Sequence, residues 1–262
     1  MKKTLKAILG IKKLLTIRTQ KKKIFLFSES KNYRNNFLPL IKSLKTHTNY
    51  NIYYFSSDYD DIDKIDEDLE PIYIGDGFLL ILFFQLIKCD MMIMTLSNLG
   101  ENQIKKVKSC KKYVYFFHSY CSTHKLYEKF AFKNYDIILA VGDFQIKELK
   151  KAEEIYNLPR KKIFKVGFFY YEKLNSLKNL KKKKENNIIY APSWSRNKKN
   201  LFNDYSIEII STLINFNFSV TLRTHPETLK REKKILLQIK KEFSNSPKFN
   251  LNLDLNDISG FE

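Results

Sequence analysis

Glycine is scarce, with seven residues in 262, and no GxGxxG follows a strand-like segment. The fingerprint of nicotinamide and flavin dinucleotide binding is therefore absent. There is also no GxxxxGK[ST], HExxH or GxSxG, which excludes P-loop NTPases, zincins and ordinary α/β-hydrolases. The three cysteines, Cys89, Cys110 and Cys121, show no CxxC or other metal-ligand spacing. They read as reduced thiols of a cytoplasmic protein, and no metal is expected. The most apolar stretch, Phe78 to Leu96, is interrupted by Gln85, Lys88 and Asp90, so it reads as a buried helix and a buried strand rather than a membrane span. A short apolar run near the N-terminus is followed by Lys12, Lys13 and Arg18 with no small-residue cleavage site, unlike a secretion signal.

Acidic residues are outnumbered 28 to 47 by basic ones, giving a formal charge of +19. The excess is chiefly lysine and comes with abundant Asn and Ile, a pattern that A/T-rich codon usage produces without a polyanionic partner. No nucleic-acid partner is expected; an anionic membrane surface or an anionic substrate accounts for the same charge. A hydrophobic fraction of 44% is ample for buried cores.

The segment Thr4 to Ile17 sets Leu5, Ile8, Ile11 and Leu15 near one helical face, with Lys2, Lys3, Lys6 and Lys13 opposite. Residues 1–22 thus form a basic amphipathic helix, either docked on anionic lipid or packed on the domain. From Lys23 the chain alternates short apolar runs (KIFLFS, NIYYFS, DMMIMTL, YVYFFHS, DIILAVG, KIFKVGF) with amphipathic stretches. This is the pattern of parallel strands joined by crossover helices in a Rossmann-like α/β domain over 23–180. LKKKKENN then reads as a linker, and a second α/β unit occupies 187–262: NIIYAPSW, a helix from Tyr205 to Asn215, FSVTLRTHP, a helix from Leu229 to Phe243, and FNLNLD. Two and a half strand-helix units are too few to cover a doubly wound sheet, so this second domain is expected to be incomplete.

His118 and His225 each follow an apolar strand directly, where open α/β sheets place their ligand sites. In HSYCSTH, Ser119, Ser122 and Thr123 supply hydroxyls, and Ser122 or Thr123 is suited to cap a helix and leave its amides for an anion. In RTHPE, Arg223 stands two residues before His225, sharing a strand face with it, and Pro226 makes a rigid turn. A guanidinium beside an imidazole suits a phosphate. APSWSR adds Ser193, Ser195, Trp194 and Arg196, with Trp194 either touching a substrate or plugging a domain interface. His47 is expected on the surface, His124 remains open, and the acidic run SSDYDDID reads as a solvated loop.

SESKNYRNNFLPLIKSL, MIMTLSNL, YVYFFHSYCSTHKLYEKFAFKNYDIILAVG, EIYNLPRKKIFKVGF, IIYAPSW and LRTHPE, in this order from about Lys23 to the last residues, resemble the CDP-glycerol glycerophosphotransferase family of teichoic-acid-like polymer synthesis. The resemblance implies a GT-B fold, two Rossmann-like parallel-sheet domains facing across a cleft. It also implies one required histidine in each domain, carried over to His118 and His225. The implied reaction moves glycerol phosphate from CDP-glycerol to a hydroxyl of a lipid-linked or cell-surface polymer and releases CMP. No cofactor is implied beyond the donor substrate, and the setting is cytoplasmic, peripheral on the inner face of the membrane. In that scheme a near-neutral imidazole at His118 is the base, and His225 with Arg223 steadies the phosphate. The aspartate-aromatic-serine loop that holds the donor pyrophosphate in the family has no counterpart after LNLDLNDISGFE. Two alternatives stand beside this reading: a GT-B glycosyltransferase using a nucleotide sugar, and a truncated, noncatalytic protein that binds anions or membrane.

Overall fold

A computed structural model describes residues 2–63, 65, 68–100, 104–169, 171, 186–195 and 199–253. The predicted linker up to residue 185, Arg196 and the segment 254–262 lie outside them. The chain divides into two compact units, Met1–Lys173 and Leu174–Glu262.

Unit 1 opens with α1 (Lys2–Thr16), followed by β1 (Lys23–Ser28), a 3-10 turn (Lys31–Tyr33), α2 (Arg34–His47), β2 (Asn51–Ser56) and β3 (Ile72–Tyr73). It continues with α3 (Gly77–Leu86), β4 (Cys89–Met94), β5 (Cys110–Phe116), α4 (Thr123–Leu126), β6 (Ile137–Ala140), α5 (Asp143–Ile155) and β7 (Lys162–Lys165). The seven strands are all parallel, in the order β3-β2-β1-β4-β5-β6-β7. The chain winds outward from β1 to β3, then returns to the other side of β1 with β4. Strand order therefore reverses between β1 and β4, and the crevice at their carboxyl ends is where such a sheet receives a ligand.

Strand side chains alternate between two cores. Phe25, Phe27, Tyr113, Tyr115 and Phe117 join α1 and α3 on one face, whereas Ile24, Leu26, Val114 and Phe116 meet Phe37, Leu40 and Ile41 of α2 on the other. Apolar residues at both parities are what a doubly covered sheet requires, and they explain the unbroken apolar runs. Cys89 and Cys110, far apart in sequence, are register partners on β4 and β5, buried as free thiols.

Helix α1 seats itself by close approach. A Cβ on Gly10 would fall 1.9 Å from the Tyr73 carbonyl oxygen, so only glycine lets the helix lie against β3. The acidic loop after β2 is not uniformly solvated: Asp61 is fully buried, accepting from Arg34 Nε at 2.5 Å and from the Tyr54 hydroxyl at 2.9 Å. Burial pushes its carboxyl up, against the opposing pull of these partners.

Unit 2 contains β8 (Asn187–Tyr190), α6 (Leu201–Asn215), β9 (Ser219–Arg223), α7 (Pro226–Arg231), α8 (Lys233–Glu242) and β10 (Phe249–Asn252). Its three strands are parallel, in the order β10-β9-β8. Phe202, Ile210, Val220, Leu222, Ile239 and Phe243 form its core. The single helix expected over Leu229–Phe243 is two helices meeting at Glu232, and the first begins at Pro226, whose fixed φ suits a first helical position.

Candidate functional site

In unit 1 the carboxyl edge gathers polar groups at the point of strand reversal. Glu29 follows β1 directly and accepts from the Thr95 hydroxyl, just beyond β4, at 3.3 Å. Desolvation raises the Glu29 carboxyl above the usual range, with the Thr95 hydrogen bond opposing. His118 stands two residues beyond β5, half-buried, its ring 4.2 Å from that of Tyr33 and tilted by 35°. Its Nδ1 is buried without a hydrogen-bond partner. Burial lowers its pKa to about 4, so the expected near-neutral imidazole is not what the free protein holds. The ring is neutral at physiological pH and, as it stands, a weak base.

The loop after His118 is held by one face of α5. Gln145, fully buried, accepts from the Val141 amide at 2.8 Å and donates to the Cys121 carbonyl at 3.0 Å. Three residues on, on the same face, Glu148 accepts from the Thr123 amide at 2.5 Å, the Thr123 hydroxyl at 2.7 Å and the Ser122 hydroxyl at 2.9 Å. This corrects the expectation of an anion at the start of α4, because the protein's own carboxylate already fills that position. Burial pushes the Glu148 carboxyl up, but hydrogen bonds from Thr123, Ser122 and His124 outweigh it and hold the group below its ordinary value. Ser119 Oγ is 3.2 Å from Cys121 Sγ, facing inward along the loop. His124 is exposed, its Nδ1 2.9 Å from Ser122 Oγ. Because that hydroxyl donates to Glu148, the imidazole nitrogen must donate to it. His47 is exposed, as expected.

In unit 2 the strand ends at Arg223, with Thr224 buried after it, so strand alternation no longer governs His225. His225 is instead the N-cap of α7, its Nδ1 accepting from the Glu227 amide at 3.1 Å. A neutral ring with an accepting Nδ1 carries its proton on Nε2, which is left as the donor. Desolvation lowers the His225 pKa, with Glu227 opposing and Lys230 assisting. The Trp194 ring lies 5.9 Å from that of His225, and the Arg231 guanidinium sits 5.5 Å above the indole. Ser193 is exposed in the loop after β8, and half-buried Arg223 closes β9. The loop after β8 and helix α7 thus bring together an imidazole, an indole and the Arg231 guanidinium, with Arg223 at the end of the neighbouring strand β9.

The chain matches no protein-family profile and no curated protein. Its fold does match solved structures. UDP-GlcNAc 2-epimerase of Methanocaldococcus jannaschii, in complex with UDP-GlcNAc and UDP, aligns with a TM-score of 0.59 at 14% identity over 88% of this chain and 73% of that one. This fold is of the GT-B type. S. aureus MnaA with UDP aligns with a TM-score of 0.59 at 13% identity over 89% of this chain and 69% of that one. The wall teichoic acid polymerase TagF, soaked with CDPG, aligns with a TM-score of 0.53 at 13% identity over 98% of this chain and 69% of that one. At these identities the likeness concerns the fold, on which many chemistries are built. Among the described residues no group of three or more His, Cys, Asp or Glu is placed to hold a metal.

Sequence reasoning missed Glu29, Tyr33, Gln145 and Glu148. The first two sit in the SESKNYR segment beside the switch point, and the last pair at i, i+3 on an amphipathic helix is an ordinary pattern until the fold brings β5's loop against it.

Proposed function

We propose that this chain is a transferase acting on a nucleotide-activated donor, moving glycerol phosphate from CDP-glycerol to a hydroxyl of a lipid-linked or cell-surface polymer. The observation that carries the reading is the strand-end assembly of unit 2. The neutral His225 ring offers an Nε2–H donor, Arg223 supplies a fixed positive charge, and Trp194 offers an aromatic face. Those are the groups a nucleotide diphosphate ester demands. In unit 1 the neutral ring of His118 takes the hydroxyl proton. An anion bound beside the ring in unit 1 would favour its protonated form and raise its basicity. Its burial against Tyr33 keeps the ring unprotonated in the free protein.

A second reading, transfer or rearrangement of a nucleotide sugar, is supported by the likeness of the fold to the UDP-GlcNAc 2-epimerase, solved with UDP-GlcNAc and UDP, and to MnaA, solved with UDP. Calorimetric titration with CDP-glycerol and with UDP-GlcNAc separates the two. Saturable binding of CDP-glycerol alone, weakened about tenfold or more in His225→Ala by loss of a charge-assisted hydrogen bond, is the expected result. Preference for UDP-GlcNAc replaces the first reading with the second. Binding of neither overturns both.

A further inference from the structure

Cys89 and Cys110 open β4 and β5, neighbours at the middle of the seven-stranded sheet, and stand opposite each other in register. Both side chains enter the same core. Neighbouring strands run about 4.8 Å apart, and a disulfide joins Cα atoms roughly 4.4–6.8 Å apart, so register partners that share a face are within its reach. The two thiols interact directly, with the Cys89 thiol donating to the Cys110 sulfur. That hydrogen bond holds Cys110 below the ordinary thiol range against the effect of burial, and the same bond together with burial pushes Cys89 far up. The pair is therefore unequal: one sulfur is suited to attack and the other to resolve. Their surroundings are basic. Lys88 precedes Cys89, Lys111 and Lys112 follow Cys110, Lys108 lies in the turn before β5, and Lys23 opens the adjacent β1. The acids among them, Asp90 and Asp136, are each paired with a lysine, Lys111 and Lys106.

We propose that Cys89 and Cys110 are a dithiol modification site, oxidised by an anionic low-molecular-weight disulfide such as glutathione disulfide to a reversible bond between β4 and β5. The Cys110 thiolate attacks one sulfur of glutathione disulfide and releases one glutathione thiolate. Cys89, giving up its proton to solvent, then attacks the Cys110 sulfur of the mixed disulfide and releases the second glutathione. Two protein thiols are oxidised to one disulfide, and one glutathione disulfide is reduced to two thiols. Lysines around the amino ends of the strands favour both the thiolate and the approach of the anionic reagent. Because both thiols are 3% exposed, the first step awaits parting of the strand ends, and re-pairing of the strands then brings the two sulfurs back together for the second. At their carboxyl ends the same two strands lead to Thr95 and His118, so the bond ties together the strands that frame the edge where those residues stand.

The test is equilibration of the full chain, without denaturant, with excess glutathione disulfide, followed by acid quenching, alkylation of free thiols and peptide mapping by mass spectrometry. It is independent of the donor reading, since no substrate is present. A peptide linking Cys89 to Cys110 is expected, lost on addition of dithiothreitol and still formed in Cys121→Ser. Cys89→Ser should instead accumulate a glutathione adduct on Cys110, and Cys110→Ser should form no link. Closing a loop of about twenty residues should slow amide exchange across β4 and β5 by about a hundredfold in the oxidised chain. A link that forms only in denaturant, a link made through Cys121, or a wild type that keeps both thiols free or stops at the glutathione adduct overturns the proposal. So does a linked chain whose β4 and β5 exchange as fast as in the reduced one.

Discussion

Replacing His118 by asparagine should make the protein less sensitive to acid. In the folded chain the ring packs on Tyr33, and burial lowers its pKa from the ordinary 6.5 to about 4. Between those values the unfolded chain binds a proton that the native state refuses. Stability contributed by the neutral ring is therefore complete above 6.5 and is lost as pH falls toward 4. The whole interval corresponds to about 3 kcal/mol at 1.36 kcal/mol per pH unit, and since the ring is only half-buried ~1–3 kcal/mol is the expected range. Urea unfolding followed by far-UV circular dichroism, with Trp194 fluorescence reporting unit 2 separately, measures it. Between about pH 7 and about pH 4 the wild type should lose ~1–3 kcal/mol more than His118→Asn, and the difference should be absent from the Trp194 signal. Equal losses in the two proteins, or an imidazole resonance titrating near the ordinary histidine value, would refute a desolvated His118.

Three further outcomes are expected. Glu148→Ala strips the acceptor from the buried Thr123 amide and hydroxyl, which should cost about 2–4 kcal/mol locally and speed amide exchange at Thr123 by about two orders of magnitude, whereas Glu148→Gln, keeping one acceptor oxygen, should cost less. Gly10→Ala normally stabilises a helix by ~1 kcal/mol, but here the new methyl meets the Tyr73 carbonyl. Faster proteolysis within α1 and a lower Tm are expected, and a raised Tm would contradict the described seating. Asp61→Asn should destabilise unit 1 by about 2–4 kcal/mol, because it leaves the buried Arg34 guanidinium uncompensated, and chemical denaturation at neutral pH reads this directly.

Much of this architecture is legible in the sequence because parallel strands buried on both faces must be apolar at every position. KIFLFS and NIYYFS coincide with β1 and β2 in their full extent, and the run from Phe78 onward resolves into α3 and β4 as its polar interruptions suggest. The two-residue β3 leaves no periodic trace, and the chain between β5 and β6 is mostly irregular, with α4 confined to Thr123–Leu126 and Phe132 at φ 67°. The places of His118 and His225, each two residues beyond a strand end, are legible because that relation is local in the chain. The environment that sets their chemistry is not local. Tyr33 against His118, Thr95 against Glu29, and α5 against the β5 loop all join residues distant in sequence. The same holds for α1, where a helical wheel finds one amphipathic face and only the packing separates inward from outward residues.

The pairing of Cys89 with Cys110 gives the molecule an internal clock. Both thiols are 3% exposed at the amino end of two central strands, whereas Cys121 sits half-exposed in the loop that Gln145 holds. A thiol reagent reaches the first pair only when β4 and β5 part, and reaches the third through loop motion alone. Two labelling rates from one unmodified chain therefore separate the opening of the sheet from the breathing of the loop beyond His118, and donor binding should slow the second while leaving the first unchanged.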